Sequence, residues 1–236
     1  MRCADGDTFR VSESMTIAMI PARMGSQRLK RKNLRTLGGV SLLAHAVRRA
    51  QQAGVFDEIW VNSEDDAFRA IANEEGADFH QRPAELASDS ATSEDFVYEF
   101  FQHHPCDRLV QVHSIAPLIP PERIREFVET FQRDSFDVLL SCTLEQIECA
   151  YEGVPINFSF EEKTNSQELK PVQRITWGLT GWKRDAFTAA YARGNTATYA
   201  GTIGFFPLTR IEGQLIKTEE DLQVAAALQR IAESRR

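Results

Sequence analysis

The chain has 236 residues, the length of one large α/β domain or two small ones, with 42% hydrophobic and 26% charged residues and a net charge of −7. This balance excludes the disordered and fibrous classes, the negative charge argues against a nucleic-acid binder, and no apolar run approaches the ~18 residues of a membrane span. Four cysteines (Cys3, Cys106, Cys142 and Cys149) are too few and too scattered for a disulfide framework or a zinc site, which predicts reduced thiols and a cytoplasmic protein.

Residues 1–15 lack the apolar stretch of a signal peptide and read as a disordered arm, with Met15 as an alternative start. Thr16–Ala22 (TIAMIPA) has the pattern of a buried strand delivering a loop. The loop Arg23–Gly39 is basic. Ser41–Gly54 then has an N-cap serine, apolar residues at helical spacing and a closing glycine. A strand is expected at Asp57–Asn62, a helix at Asp65–Glu75 ended by Gly76, and a short strand at Ala77–His80. Ser90 or Thr92 caps the next helix, which runs to about His103 and takes the aromatic run Phe96–Phe101 into its core. Arg108–His113 is a strand, Pro120–Pro121 opens a helix to about Arg133, and Phe136–Thr143 is a further strand. Leu144–Val172 is polar and alternating, and reads as an excursion from the sheet, such as a hairpin; the competing reading is a long surface loop. A strand at Val172–Thr176, a helix at Lys183–Arg193, a strand at Thr198–Phe206 and a helix at Glu219–Ser234 complete the chain. Strands alternating with helices predict βαβ units and a mainly parallel sheet, in one domain over 16–236 with the excursion at about 145–175.

The chemistry concentrates after the first strand. Arg23, Arg28, Lys30, Arg31 and Lys32 place five cations within ten residues of an otherwise acidic chain. Cations at the carboxyl end of a first parallel strand sit where open α/β sheets bind ligands, and amides around Ala22, Gly25 and Ser26 can take phosphate oxygens. A polyphosphate site follows; the competing reading is a solvated basic loop. The Walker spacing is absent.

The stretch Ile20–Leu34 (IPARMGSQRLKRKNL) resembles the signature of the acylneuraminate and Kdo cytidylyltransferases, approximately IPARxGSKxxxxKNL. Arg23, Gly25, Ser26, Lys32, Asn33 and Leu34 match, and Gln27 stands where lysine is usual. The resemblance continues through Val61–Ala77, Arg82–Phe96 (RPAELASDSATSEDF), Ala116–Ile124, Thr176–Gly178 (TWG) and Thr218–Ala225 (TEEDLQVA). It implies a Rossmann-like nucleotidyltransferase fold, a homodimer swapped through the excursion, and transfer of CMP from CTP to a 2-keto sugar acid or related acidic acceptor. It implies that Arg23 and Lys32 hold the triphosphate, with Asn33 in the same loop, that Arg82 and Ser88 lie beside the pyrimidine, and that Asp89 contacts the ribose or supports the site.

Three places depart from the family. Its metal-holding DID motif reads Leu215-Ile216-Lys217 here, so Mg²⁺ is expected only as delivered with CTP, with Asp221 the one matched carboxylate nearby and Lys217 a fixed charge in the metal's place or a surface lysine. The end of the fourth long strand reads VHSIAPL, which offers His113 either as general base or as a strand-end histidine. The sugar-contacting NGA is Trp177-Gly178-Leu179, so Trp177, with Gln173, either faces the acceptor or packs as a core tryptophan. Asp66, Glu219 and Glu220 read as helix-dipole partners. The alternative to an active transferase is a nucleotide-binding relative that has lost turnover and serves as a partner protein.

Overall fold

The computed structural model describes residues 14–233; residues 1–13 of the expected arm, Cys3 and the expected helix end at Ser234 lie outside them. In chain order the first half holds β1 (Thr16–Pro21), β2 (Thr36–Leu37), β3 (Val40–Ser41), α1 (Leu42–Ala53), β4 (Glu58–Ser63), α2 (Asp66–Glu74), β5 (Asp78–Gln81), α3 (Ser93–His103) and β6 (Arg108–Val112). The second half holds α4 (Pro121–Arg133), β7 (Val138–Glu145), β8 (Ala150–Tyr151), β9 (Val154–Pro155), β10 (Val172–Lys183), α5 (Arg184–Ala192), β11 (Ile203–Leu208) and α6 (Glu219–Glu233).

Seven strands form one sheet in the order β11-β7-β10-β6-β1-β4-β5. Its neighbours are parallel except at β10, which runs antiparallel to both β6 and β7. The fold is therefore α/β with a mainly parallel sheet. The chain leaves β1 toward β4 and β5, then returns through α3 to lay β6 on β1's other side. The carboxyl ends of β1 and β6 thus flank the point where strand order reverses, the place where such sheets bind ligands.

Alternation along β1 explains the two helical layers. Ala18 and Ile20 pack with Leu43 and Val47 of α1, Phe68 of α2 and Phe127 of α4. Ile17 and Met19 face the other way, against Phe100 of α3 and Phe187 of α5. Caps fix the helix starts. The Ser41 hydroxyl accepts from the Ala44 amide at 3.1 Å, and Gly54 closes α1 with φ 65°. Of the two candidates for α3, Thr92 is the cap: it forms a reciprocal capping box with Asp95. Pro121 occupies the first turn of α4.

The structure revises several sequence boundaries. The strand expected to stop at Thr176 continues to Lys183, across an irregularity between Ile175 and Thr180 where Trp177 takes a left-handed φ of 57°. The basic loop holds a 3-10 turn at Lys32–Leu34 and a small hairpin, β2–β3, turning on Gly38 and Gly39, both with positive φ. β7 is displaced two residues toward the carboxyl end, and β11 begins only at Ile203, after a turn in which Gly201 has φ 84°. Between β7 and β10 the chain leaves the sheet and pairs only in the two-residue ribbon β8–β9. Among the described residues, no helix is long and apolar enough to cross a membrane.

Gly181 sits on β10 beneath α4. A Cβ there would meet Phe131 Cδ1 at 2.8 Å and Cε1 at 2.9 Å. Gly181→Ala is therefore expected to lower the unfolding free energy by about 1–3 kcal/mol, the usual cost of overpacking. Urea unfolding measures it; an unchanged midpoint would show that Phe131 yields without cost.

Candidate functional site

A cavity of about 300 Å³ opens at the carboxyl ends of β1 and β6. Pro21 and Ala22 from β1's end, the basic loop, the first turn of α3, and His113–Ile115 after β6 line it, together with Arg82 and Lys217. Five lining side chains are cationic: Arg23, Arg28, Lys32, Arg82 and Lys217. Among the described residues, none that lines the cavity is a carboxylate.

Buried neighbours hold the cations in place. Leu29 is buried with Leu37, Leu42, Ile216 and Leu222, so the chain between Arg28 and Lys30 is pinned to α6. Asn33, itself buried, donates from Nδ2 to the Arg23 carbonyl at 3.1 Å and accepts at Oδ1 from the Ser114 hydroxyl at 2.6 Å, tying the loop across to β6's end. The Met24 amide donates to Glu64 Oε1 at 2.8 Å. On the far wall Ile216 is fully buried and its amide donates to the Ile115 carbonyl at 2.8 Å, which sets Lys217 at the rim.

The electrostatics of the cavity are strongly positive. Burial, then Arg28, Arg23 and Lys217, pull the Lys32 ammonium below its ordinary pKa. Arg23 alone of these pairs with a carboxylate, Asp89 at 3.3 Å, whose other oxygen takes Gln27 Nε2. Asp89 thus stands beside the cavity as a counter-ion, outside its lining. Burial and the nearby Lys32 charge push His113 down to about 4, so its ring is neutral near pH 7. Nε2 lies 2.7 Å from Gln111 Oε1, an arrangement that suits the tautomer protonated at Nε2.

Arg82 is a scaffold as much as a wall. It is 3% exposed, with Nε 2.6 Å from Asn62 Oδ1 and one terminal nitrogen donating to the Asn62 and Ala22 carbonyls. Its guanidinium lies 4.2 Å from the centre of the Phe96 ring. Desolvation draws its pKa down to about 10. Ser93 and Phe96 also line the cavity. Phe96, expected in helix core, does pack against the α3–α5 cluster and lines the cavity as well; its position one turn into α3, after the RPAEL element, is the signal for that second role.

Other expected site residues lie elsewhere. The Ser88 hydroxyl bonds the Glu85 carbonyl and Ser90 in the turn after β5, outside the cavity lining. Trp177 packs beside the α3–α5 core cluster with its ring 6.2 Å from Tyr199, and Gln173 is exposed on β10 opposite Leu144; neither lines the cavity. The TWG element acts through its backbone. The Gly178 carbonyl accepts the His113 amide at 3.0 Å, and a Cβ on Gly178 would meet Ile119 at 2.8 Å.

The expected metal fares differently. Leu215 packs against the apolar cluster, Lys217 presents a cation, and Asp221 Oδ2 receives the Lys217 amide, the Thr218 amide and the Thr218 hydroxyl as it caps α6. Burial would raise that carboxyl, but these hydrogen bonds and the Lys217 charge outweigh it and hold its pKa low. The residues present do not fit a protein-held Mg²⁺. Among the described residues, no group of three or more His, Cys, Asp or Glu is placed to hold a metal.

A family model described as cytidylyltransferase matches residues 17–217. The chain is similar to N-acylneuraminate cytidylyltransferase A of Danio rerio, 32% identical over 125 residues, which is 52% of this chain and 29% of that protein. It is also similar to 3-deoxy-manno-octulosonate cytidylyltransferase of Myxococcus xanthus, 36% identical over 118 residues, 50% of this chain and 46% of that one. The chain spans less than half the length of these relatives. In fold it resembles a CMP:2-keto-3-deoxy-manno-octonic acid synthetase complexed with CTP, with TM-score 0.70, 18% identity and coverage of 93% and 100%. It also resembles 4-diphosphocytidyl-2C-methyl-D-erythritol synthase of Anaerococcus prevotii, with TM-score 0.66, 11% identity and coverage of 92% and 99%.

The Arg82 fork yields a stability prediction. Arg82→Lys keeps the charge but cannot span Asn62 and Ala22, leaving buried acceptors unpaired at about 1–3 kcal/mol. Denaturant unfolding is expected to show that loss; wild-type stability in Arg82→Lys would mean the fork is dispensable.

Proposed function

This chain belongs to the cytidylyltransferase family, and we propose that it binds CTP in the cation-lined cavity and transfers CMP to an acidic, sugar-like hydroxylated acceptor with release of pyrophosphate. The observation that carries this reading is the gathering, among the described residues, of five cations and no carboxylate around one cavity at the strand-order reversal. The names of the similar relatives support a sialic acid or Kdo type of acceptor.

In this reading Arg23, Arg28, Lys32 and Lys217 spread the triphosphate's charge and orient it, which is most of what phosphoryl transfer asks of a protein. The acceptor's hydroxyl oxygen attacks the α-phosphorus. The bond to the oxygen bridging the α- and β-phosphates breaks, and pyrophosphate leaves with the electron pair. In the tautomer protonated at Nε2, the neutral His113 ring takes the hydroxyl proton at Nδ1. A second reading, a nucleotide-binding partner protein without turnover, draws on the lack of any carboxylate among the described residues of the cavity lining.

The test is calorimetry with CTP, ATP and GTP, followed by pyrophosphate release across a panel of sugar acids with and without Mg²⁺. Removing a charge from a partly desolvated site costs on the order of 2–5 kcal/mol, so Lys32→Ala is expected to weaken CTP roughly tenfold or more. CTP is expected to bind best of the nucleotides. Unchanged CTP affinity in both Lys32→Ala and Arg23→Ala would remove the triphosphate from this cavity. Tight CTP binding with no pyrophosphate from any acceptor would favour the second reading.

The excursion supports a homodimer. Tyr151 is 69%, Val154 65% and Phe160 74% exposed, and Ile147 and Ile156 join them, an apolar patch of the kind that marks an interface. Light scattering on a sizing column is expected to return twice the chain mass, and Tyr151→Glu with Phe160→Glu to return one. A monomeric wild type would refute it. The free thiols of Cys106, Cys142 and Cys149 support a reducing, cytoplasmic setting.

A further inference from the structure

We infer that the cavity takes the metal-free polyphosphate anion in preference to its Mg²⁺ complex, the fixed cations Lys32 and Lys217 standing where a divalent ion would otherwise balance the phosphates. This rests on the reading of the cavity as a CTP site and names the ionic form it selects.

Three features carry it. The lining holds five cations, of which Arg23 has an ion-pair partner in Asp89 and Lys32 and Lys217 have none among the described residues. Among the described residues, the lining contains no carboxylate with which a hydrated divalent ion could pair, and such an ion binds through carboxylates and substrate phosphates together. Asp221, the carboxylate whose hydrogen bonds reach the Lys217 backbone, spends Oδ2 on three hydrogen bonds at the start of α6 and is committed to the helix cap.

Charge arithmetic gives the direction. Free CTP near neutral pH carries about four negative charges, and binding Mg²⁺ removes two of them. Burial first, and then the crowding of Arg28, Arg23 and Lys217, disfavours the Lys32 charge, and the ligand with most negative charge offsets both most. A divalent ion placed on the phosphates would add its own repulsion to the same group of cations at short range. Guanidinium and ammonium donors also supply directed hydrogen bonds to phosphate oxygens that Mg²⁺ would otherwise occupy. Leu215 gives this arrangement its permanence. It is partly buried against one apolar cluster while Ile216 is buried in another, so the segment that carries Lys217 is held at both 215 and 216.

The experiment is calorimetric titration of the full chain with CTP and, separately, with inorganic tripolyphosphate. Each is run in EDTA and in excess MgCl2 at matched ionic strength, which keeps screening constant. Binding is expected in EDTA, with apparent affinity falling roughly tenfold or more in excess Mg²⁺ because the free anion is depleted by mass action. Lys217→Asp is expected to reverse the order, so that the variant binds CTP more tightly with Mg²⁺ than without. Equal affinity in the two buffers, or tighter binding in Mg²⁺ by the wild type, would overturn the inference. Tripolyphosphate binding in EDTA with no CTP binding would overturn the CTP reading while upholding the ionic preference. No binding of either anion in either buffer would overturn both.

Discussion

Like charges that crowd one cavity repel one another, and the rest of this structure is arranged to keep five of them there. Arg23, Arg28, Lys32, Arg82 and Lys217 gain nothing from each other; desolvation and mutual repulsion pull Lys32 below its usual pKa. What holds them is the apolar and neutral material between them. Leu29 and Ile216 bury two points of the flanking chain in one cluster with α6, and Asn33 bridges the Arg23 carbonyl to Ser114 across the cavity floor. The repulsion is thus stored by hydrophobic burial and by hydrogen bonds between neutral groups, and a polyanion would release it.

The sheet supplies the frame for this tension. The strand order reverses at β1 and β6, where such sheets leave a crevice, and β10 pairs antiparallel with β6 beside it. Gly178 lets β10 approach the Ala116–Ile119 segment closely, and its carbonyl fixes the His113 backbone. Trp177 pays the cost of a left-handed backbone so that the strand can bend there, and its ring is spent on packing near Tyr199. The element that resembles a sugar-contacting motif therefore works here as a brace for the histidine.

Arg82 serves both the cavity and the sheet. Its fork closes the ends of β1 and β4, and its face stacks on Phe96 at the start of α3, so the cavity wall and the sheet edge are one structure. Glu64, Asp89 and Asp221 complete the pattern. Each carboxylate near the cavity is turned to a backbone amide or to a cation of the loop, leaving the interior positive.

The sequence by itself determined the α/β class, most helix boundaries and the basic loop after the first strand. These are local: apolar periodicity, Ser41 and Thr92 as caps, Gly54 as terminator and Pro121 at a first turn are each decided by neighbours a few residues away. The family resemblance was legible for the same reason, because its motifs are contiguous. Only the tertiary structure decided which cations converge. Lys30 and Arg31 are exposed and turn from the cavity that Arg28 and Lys32 line, a separation set by the burial of Leu29 and the left-handed turn at Arg31. It also decided that Lys217, 185 positions from Lys32, shares their cavity, while Trp177, Gln173 and Ser88 do not. Side-chain direction at a bulge, and the joining of segments far apart in the chain, depend on how the sheet and its helices pack, which no local pattern encodes.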